Sequence, residues 1–258
     1  MTRVALLCIV LSMNNDLANP KKLRRLYLVI AIGCVMFVIL TLVAMLTYAG
    51  GTMENHASNG YDFTRNFLSN LGMLTAPSGR PNWVSAVLFF ISLAAAGSCL
   101  VLFFIIFQRF FQHTRLQKVL SLTGSILGVL AGISFIGVAF APADVARAAH
   151  IQFVMWAFRL FPLAVVFYVP VMFIDRHYPR LYAWIFTVFC LLLIGYYLLL
   201  TNGPSLDSPQ GLVIQVVGQK VIAYASILSI GIQSLGAYRY LGKIDLQNNK
   251  SELPIDAK

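Results

Sequence analysis

Charged residues are scarce in this sequence, 11% of 258 residues against 59% hydrophobic. A water-facing domain carries about a quarter charged residues, so this chain has too few to cover a soluble surface. Acids are scarcer still, nine against nineteen Lys and Arg, and none of the nine falls inside a long apolar run. The alternating segments of ~10 residues that mark a membrane β-barrel are missing as well. Four cysteines, Cys8, Cys34, Cys99 and Cys190, sit in apolar stretches without ligand spacing. That excludes a disulfide framework and a cysteine metal site and leaves them as small buried hydrophobes. The pattern calls for no cofactor and no metal.

What is present is a series of long apolar runs. A helix needs ~20 such residues to span the hydrocarbon, and backbone groups in lipid must bond within their own segment. Six runs qualify, at about 26–49, 84–107, 119–140, 151–174, 181–200 and 212–237. The expected fold is an all-α, polytopic membrane bundle of six transmembrane helices filling 26–240. A lead-in at 1–25 precedes it, a long outer loop at 50–83 interrupts it, and a polar tail at 241–258 follows. Within the lead-in, Val4–Leu11 is too short to span and no small-residue cleavage site follows it, so Met13 is the expected start.

Orientation follows from the basic residues. Fourteen fall on the side of the termini and three, Arg65, Arg80 and Arg147, on the other, with Arg159 and Lys220 inside spans. The positive-inside rule makes the richer side cytoplasmic and predicts both termini there, in a cell membrane. The net charge of +10 is thereby accounted for by topology, and nucleic acid is not an expected partner. The lipid bilayer is.

Arg159 and Lys220 each lie ~12 Å below the outer boundary at the helical rise per residue. Ionisable residues at that depth face the bundle interior or water and have partners. Two readings stand: each bonds to carbonyls and outer-loop acids (Asp62, Asp144, Asp207), or both face a vestibule that binds an anionic lipid headgroup or a small anion. On the sixth span, Gln215, Gln219, Ser226, Ser229 and Gln233 recur at the helical period and form one polar stripe. It must turn inward, as interhelical glue or as the wall of a pathway. Gln152 shares a face with Arg159 on the fourth span, so Gln152, Gln215 and Gln219 join the two cations as pocket candidates. Pro162 and Pro170 are expected to bend that fourth span.

The third span carries Gly124, Gly128 and Gly132 beside Ser121 and Ser125, a small-xxx-small face that lets a helix approach closely. In an adaptor this face would pack a partner helix or a second copy of the chain. In the outer loop, Phe63, Phe67, Leu71 and Leu74 share one helical face, with Asp62 to cap the start and Gly72 the end. This predicts a short amphipathic helix, lying in the interface or folded as a lid over the bundle mouth. Before the fourth span, Asp144 is three residues from Arg147 and six from His150. Asp144 suits a helix start, and Asp144 with His150 is the weak acid/base pair of an intramembrane lipid enzyme. They are too few for a metal site, and His56 is not tied to them by spacing.

The run Arg65-Asn66-Phe67-Leu68-Ser69-Asn70-Leu71-Gly72 resembles the R-N-F-I-S-D-L-G signature of the domain-of-unknown-function 998 family of six-span membrane proteins. Asn82, Asp144 and His150 sit where that family's pattern places them. The family is similar in layout to autophagy-modulator membrane proteins with a related Ser-Asp-Leu-Gly loop. The resemblance implies the six-span architecture and an outer rim of Arg65, Asn66, Ser69, Asn70, Asp144 and His150, without an activity. Asn70 stands where the family has an acid, so a role needing a carboxylate there does not carry over. A transporter reading has little to build on, with no intramembrane acid for ion coupling and no inverted repeat.

Overall fold

Each of the six apolar runs lies largely within one helix, and two of these helices start at a side-chain cap. The computed structural model describes residues 19–251, with side chains through Lys243. Met13, Cys8 and the 4–11 run lie outside the described residues. Helix α1, Pro20–Leu46, starts at a proline, and the Asn19 side chain accepts the Lys21 amide, the arrangement that satisfies an orphan donor at a helix start. α2 covers Trp83–Phe107 and α3 covers Arg115–Phe140. In α3, Thr114 and Gln117 cap each other's backbone reciprocally. α4 spans Arg147–Ile174 with Pro162 and Pro170 inside it, α5 spans Arg180–Asn202, and α6 runs Pro209–Ser251. All six are long and apolar enough to cross a membrane. α1 begins six residues before its apolar run, and α6 continues to Ser251 through the stretch expected as a polar tail. At 43 residues α6 is ~65 Å long, twice the hydrocarbon thickness, so its end projects beyond the basic face.

The helices close into a ring. Each packs on its neighbours in chain order, and α6 returns to pack on α1. The ends of α1 and α6 share one face, tied where Arg24 donates to the Tyr238 hydroxyl at 3.0 Å and lies over its ring. The outward surface is apolar and exposed, as at Ile32, Val35, Leu122, Ile126, Val188 and Leu191, as a lipid-facing surface must be.

The inside is sealed at both ends. Toward the basic face, Phe103, Phe104, Phe107 and Phe111 of α2 and its extension are fully buried. Phe107 is at the centre, stacked on Phe103 at 4.6 Å and meeting Tyr168 at 5.1 Å, Phe111 at 5.3 Å and Tyr178 at 5.7 Å between centroids. Toward the other face, a second cluster joins Phe37, Ala44 and Tyr48 to Phe89, Leu93 and Val138. It includes Leu68 and Leu71 of the long loop between α1 and α2. The glycine face of α3 is consumed within this ring. A Cβ on Gly128 would meet the Phe104 ring at 2.2 Å, one on Gly124 the Tyr168 ring at 2.8 Å, and one on Gly132 the Gly97 carbonyl at 3.0 Å. It serves α2 and α4 of the same chain and offers no surface to a partner helix or a second copy.

Candidate functional site

The long loop between α1 and α2 folds inward over the ring as a lid. Its central stretch is a turn at 63–66 followed by a 3₁₀ turn, Leu68–Gly72, in place of the expected amphipathic α-helix. The reason is local competition. The Asp62 carboxylate takes the Thr64 amide and hydroxyl at 2.8 Å and the Arg65 amide at 3.1 Å, closing a tight turn. Asn66, 1% exposed, then locks the chain from outside the segment. Its Oδ1 accepts the Asp62 amide and its Nδ2 donates to the Gly51 carbonyl, at 2.9 and 2.8 Å. Gly51 can stand there because its φ is +87°, a conformation that glycine adopts freely.

Burial of the Asp62 carboxyl raises its pKa, but the hydrogen bonds from Thr64 and Arg65 together outweigh that and hold it below the ordinary value. Arg65 spans Asp62 at 3.3 Å and Glu54 at 3.2 Å. Burial pushes the Tyr48 and Tyr61 phenols up, so both stay neutral. Tyr61 donates to the Asn66 carbonyl at 2.9 Å.

Four groups fasten this lid, two on α6, one at the head of α2 and one in the α3–α4 link. Lys220 of α6 is 1% exposed. Its ammonium donates to the Asn66 carbonyl and lies 5.3 and 5.1 Å from the centres of the Tyr61 and Phe63 rings. Gln219 accepts the Leu68 amide at 2.7 Å. Asn82, 2% exposed, accepts the Ala49 amide at 3.0 Å and donates to the Leu71 and Met73 carbonyls at 3.1 and 2.9 Å. Asp144 accepts the Leu74 and Thr75 amides at 3.2 and 2.9 Å. α4 starts at Arg147 behind Ala146, without a side-chain cap, so Asp144 bridges to the lid in place of its expected role at the helix start.

The structure does not bring the predicted pocket residues together. Lys220 lies under the lid, whereas Arg159 and Gln152 are exposed on the outside of α4, Arg159 5.7 Å from the Trp156 ring centre. A vestibule holding one anion between both cations is not formed. Gln215 bonds the Leu199 carbonyl at 3.0 Å and Gln233 the Tyr182 carbonyl at 2.7 Å. The ends of the polar stripe are therefore glue to α5. Its middle, Gln219 and Ser226, faces a cavity. His150 is buried, its Nδ1 2.7 Å from the Ala141 carbonyl. Asp144 is engaged with the lid, so the pair is not assembled as an acid and base. Of the other rim residues, Ser69 borders both cavities and the Asn70 amide lies 3.1 Å from the Met73 sulfur.

Beneath the lid is a central cavity of about 100 Å³. Phe37, Phe89, Leu93, Phe135, Phe158 and Ala223 are among its walls, and Ser69, Gln219 and Ser226 are its polar side chains. Ser226 is spent on the Ile222 carbonyl at 2.7 Å, which leaves the wall chiefly apolar. Apolar cavities on this scale stay dry and take apolar molecules. A second cavity of about 180 Å³ lies beside it between lid, α2, α3 and α4. The two share Ser69, Phe89 and Val138 as a common wall. Trp83 and Val87, exposed on the lipid side, border the second cavity along with His150. Sequence reasoning missed these walls, because an inward aromatic on a buried helix reads as core whether or not a void lies beside it.

No family model matches the chain, and neither a curated protein nor a solved structure matches it.

Proposed function

We propose that this multi-pass membrane protein binds a small apolar molecule or the end of an acyl chain in the cavity of its six-helix ring, under the outer loop as lid. The observation that carries the reading is the chiefly apolar void between two sealed ends. Close packing leaves few voids in a protein interior, and a lining gives up dispersion contacts around each one. The neighbouring cavity, bordered by lipid-exposed Trp83 and Val87, offers a side entry from the bilayer. Ser69 and Gln219 are placed to meet a single polar group at the ligand's end. This reading keeps the lipid and drops the anion, since Lys220 is already engaged by the Asn66 carbonyl and two rings.

The lid faces outward and both ends face the cytoplasm of a cell membrane in this reading, supported by the fourteen-to-three division of basic residues. Membership of the domain-of-unknown-function 998 family is part of the same proposal. It rests on the lid's run Arg65–Gly72, in which Arg65, Asn66, Phe67, Ser69, Leu71 and Gly72 match the signature.

The test fills the void. Ala223→Phe with Ser226→Leu occupies the cavity wall without touching the lid's fastenings. Native mass spectrometry of purified protein offered a fatty acid should show retention by wild type and at least about tenfold less by the filled variant, whose thermal midpoint should be unchanged or higher. Equal retention by both, or none by wild type, rejects the reading.

A further inference from the structure

On the face opposite the lid, three side chains from two different links converge. His113 lies between α2 and α3, and Asp175 and His177 lie between α4 and α5. One ligand atom of each lies within 4.8 Å of the other two. The Asp175 side chain is 2% exposed, while those of His113 and His177 are 57% and 66% exposed. A buried carboxylate must be compensated, and this one is fixed by three donors. Its Oδ2 accepts the Gln117 amide at 3.0 Å, and its Oδ1 accepts the His177 and Tyr178 backbone amides at 2.8 and 2.9 Å. The imidazoles flank what remains of it. His113 Nε2 is 3.8 Å from Oδ2, and His177 Nδ1 is 3.8 Å from Oδ1.

That spacing discriminates between two uses. At 3.8 Å neither imidazole is hydrogen-bonded to the carboxylate. Two ligands sharing a tetrahedral ion with bonds of ~2.0–2.1 Å stand roughly 3.3–3.4 Å apart; the 3.8 Å gaps, one to each carboxylate oxygen, and the mutual limit of 4.8 Å leave the three groups a short closure from sharing an ion. The rings lie 5.0 Å apart, tilted by 37°. Both are exposed and can rotate to close the remainder. The carboxylate cannot, and its fixed orientation from Gln117 and two amides is the outer-shell support that ligating groups require.

We propose that His113, Asp175 and His177 bind one divalent transition-metal ion of the zinc class, with a fourth position left to water. Two imidazoles and a carboxylate are a nitrogen–oxygen set that suits zinc over calcium or magnesium. Bound there, the ion ties the α2–α3 link to the α4–α5 link on the basic face. Arg115 and Arg176, neighbours of the ligands in sequence, oppose a further positive charge, so the site fills at modest affinity. The site is separate from the cavity and does not depend on what the cavity binds.

The probe is Co²⁺ added to the full-length, tag-free protein in detergent, followed by Zn²⁺. Wild type should develop visible ligand-field absorption saturating near one equivalent, bleached by Zn²⁺, and its thermal midpoint should rise with Zn²⁺. The double variant His113→Ala/His177→Ala changes exposed side chains and should keep the wild-type elution profile and helix content. It should lose both the absorption and the shift in midpoint. Absorption that persists in the double variant overturns the proposal, as does a wild type that stays colourless up to millimolar Co²⁺. Should the double variant fail to elute as wild type, His113→Gln alone serves, and an undiminished signal there is equally fatal.

Discussion

Two residues under the lid look alike in sequence, each a buried polar side chain near the outer end of a helix, yet they carry different burdens. Asn82 fills three backbone valences that otherwise face the protein interior, the Ala49 amide and the Leu71 and Met73 carbonyls. Truncation strands the Ala49 amide and the Met73 carbonyl, while the Leu71 carbonyl keeps the Ser85 hydroxyl at 3.1 Å, so Asn82→Ala should cost ~2 kcal/mol, since each buried group left unpaired costs a desolvation penalty. Lys220 donates to a carbonyl that Tyr61 also serves. Removing its charge therefore orphans no acceptor, and a methionine of similar volume still packs against Tyr61 and Phe63. Lys220→Met should cost under ~1 kcal/mol or be neutral, because burying a cation carries a penalty that its loss returns. Thermal midpoints and limited proteolysis of the outer loop read both. A Lys220→Met protein as fragile as Asn82→Ala would mean that the ammonium itself holds the lid.

At the scale of the element, α3 is the helix that decides how tightly the ring closes. Gly128 has the Phe104 ring 2.2 Å from where its Cβ would be, whereas Gly195 on α5 is exposed with nothing within 4 Å. Gly128→Val should lower stability by about 2 kcal/mol or more through overpacking of a filled seam. Gly195→Val should be near neutral by the same thermal measurement, as exposed substitutions usually are. The pair separates close approach from helix propensity, which favours valine over glycine at both positions. If the two variants lose the same amount, the glycine face is not a seam. The lid is an element of another kind. Its backbone is satisfied by short local turns together with the side chains of Asn66, Asn82, Asp144 and Gln219, which is why it can be a turn and still be well fastened.

For the whole molecule, the ring places the lid and the His113–Asp175–His177 cluster on opposite faces, and their sidedness can be read directly. Thr64 and Gln112 are exposed at the two ends of the bundle. With the basic face in the cytoplasm, Thr64→Cys should react with a membrane-impermeant maleimide in intact cells or spheroplasts, and Gln112→Cys only after lysis. The described native cysteines are buried or half-buried in the spans and should not compete. The reverse pattern would invert the orientation and put the lid inside the cell.

The number and order of the long apolar helices were legible in the sequence because the bilayer imposes one requirement on each segment separately. Twenty apolar residues announce themselves without reference to the rest of the chain. The inward turn of Gln215, Gln219 and Gln233 was legible for the same reason, since an amide has no acceptable place in lipid. Pairings were not. Arg159 and Lys220 share a depth in the sequence, but depth leaves the rotation of each helix open, and packing turned one outward onto Trp156 and the other under the lid. The glycine face predicted a close neighbour without saying whose, and it was the chain's own α2 and α4. The lid's path, the void beneath it and the meeting of His113 with Asp175 and His177, far along the chain from it, depend on the closure of the ring. Tertiary structure alone decides them, because a cavity or a ligand set exists only between segments that chain order does not bring together.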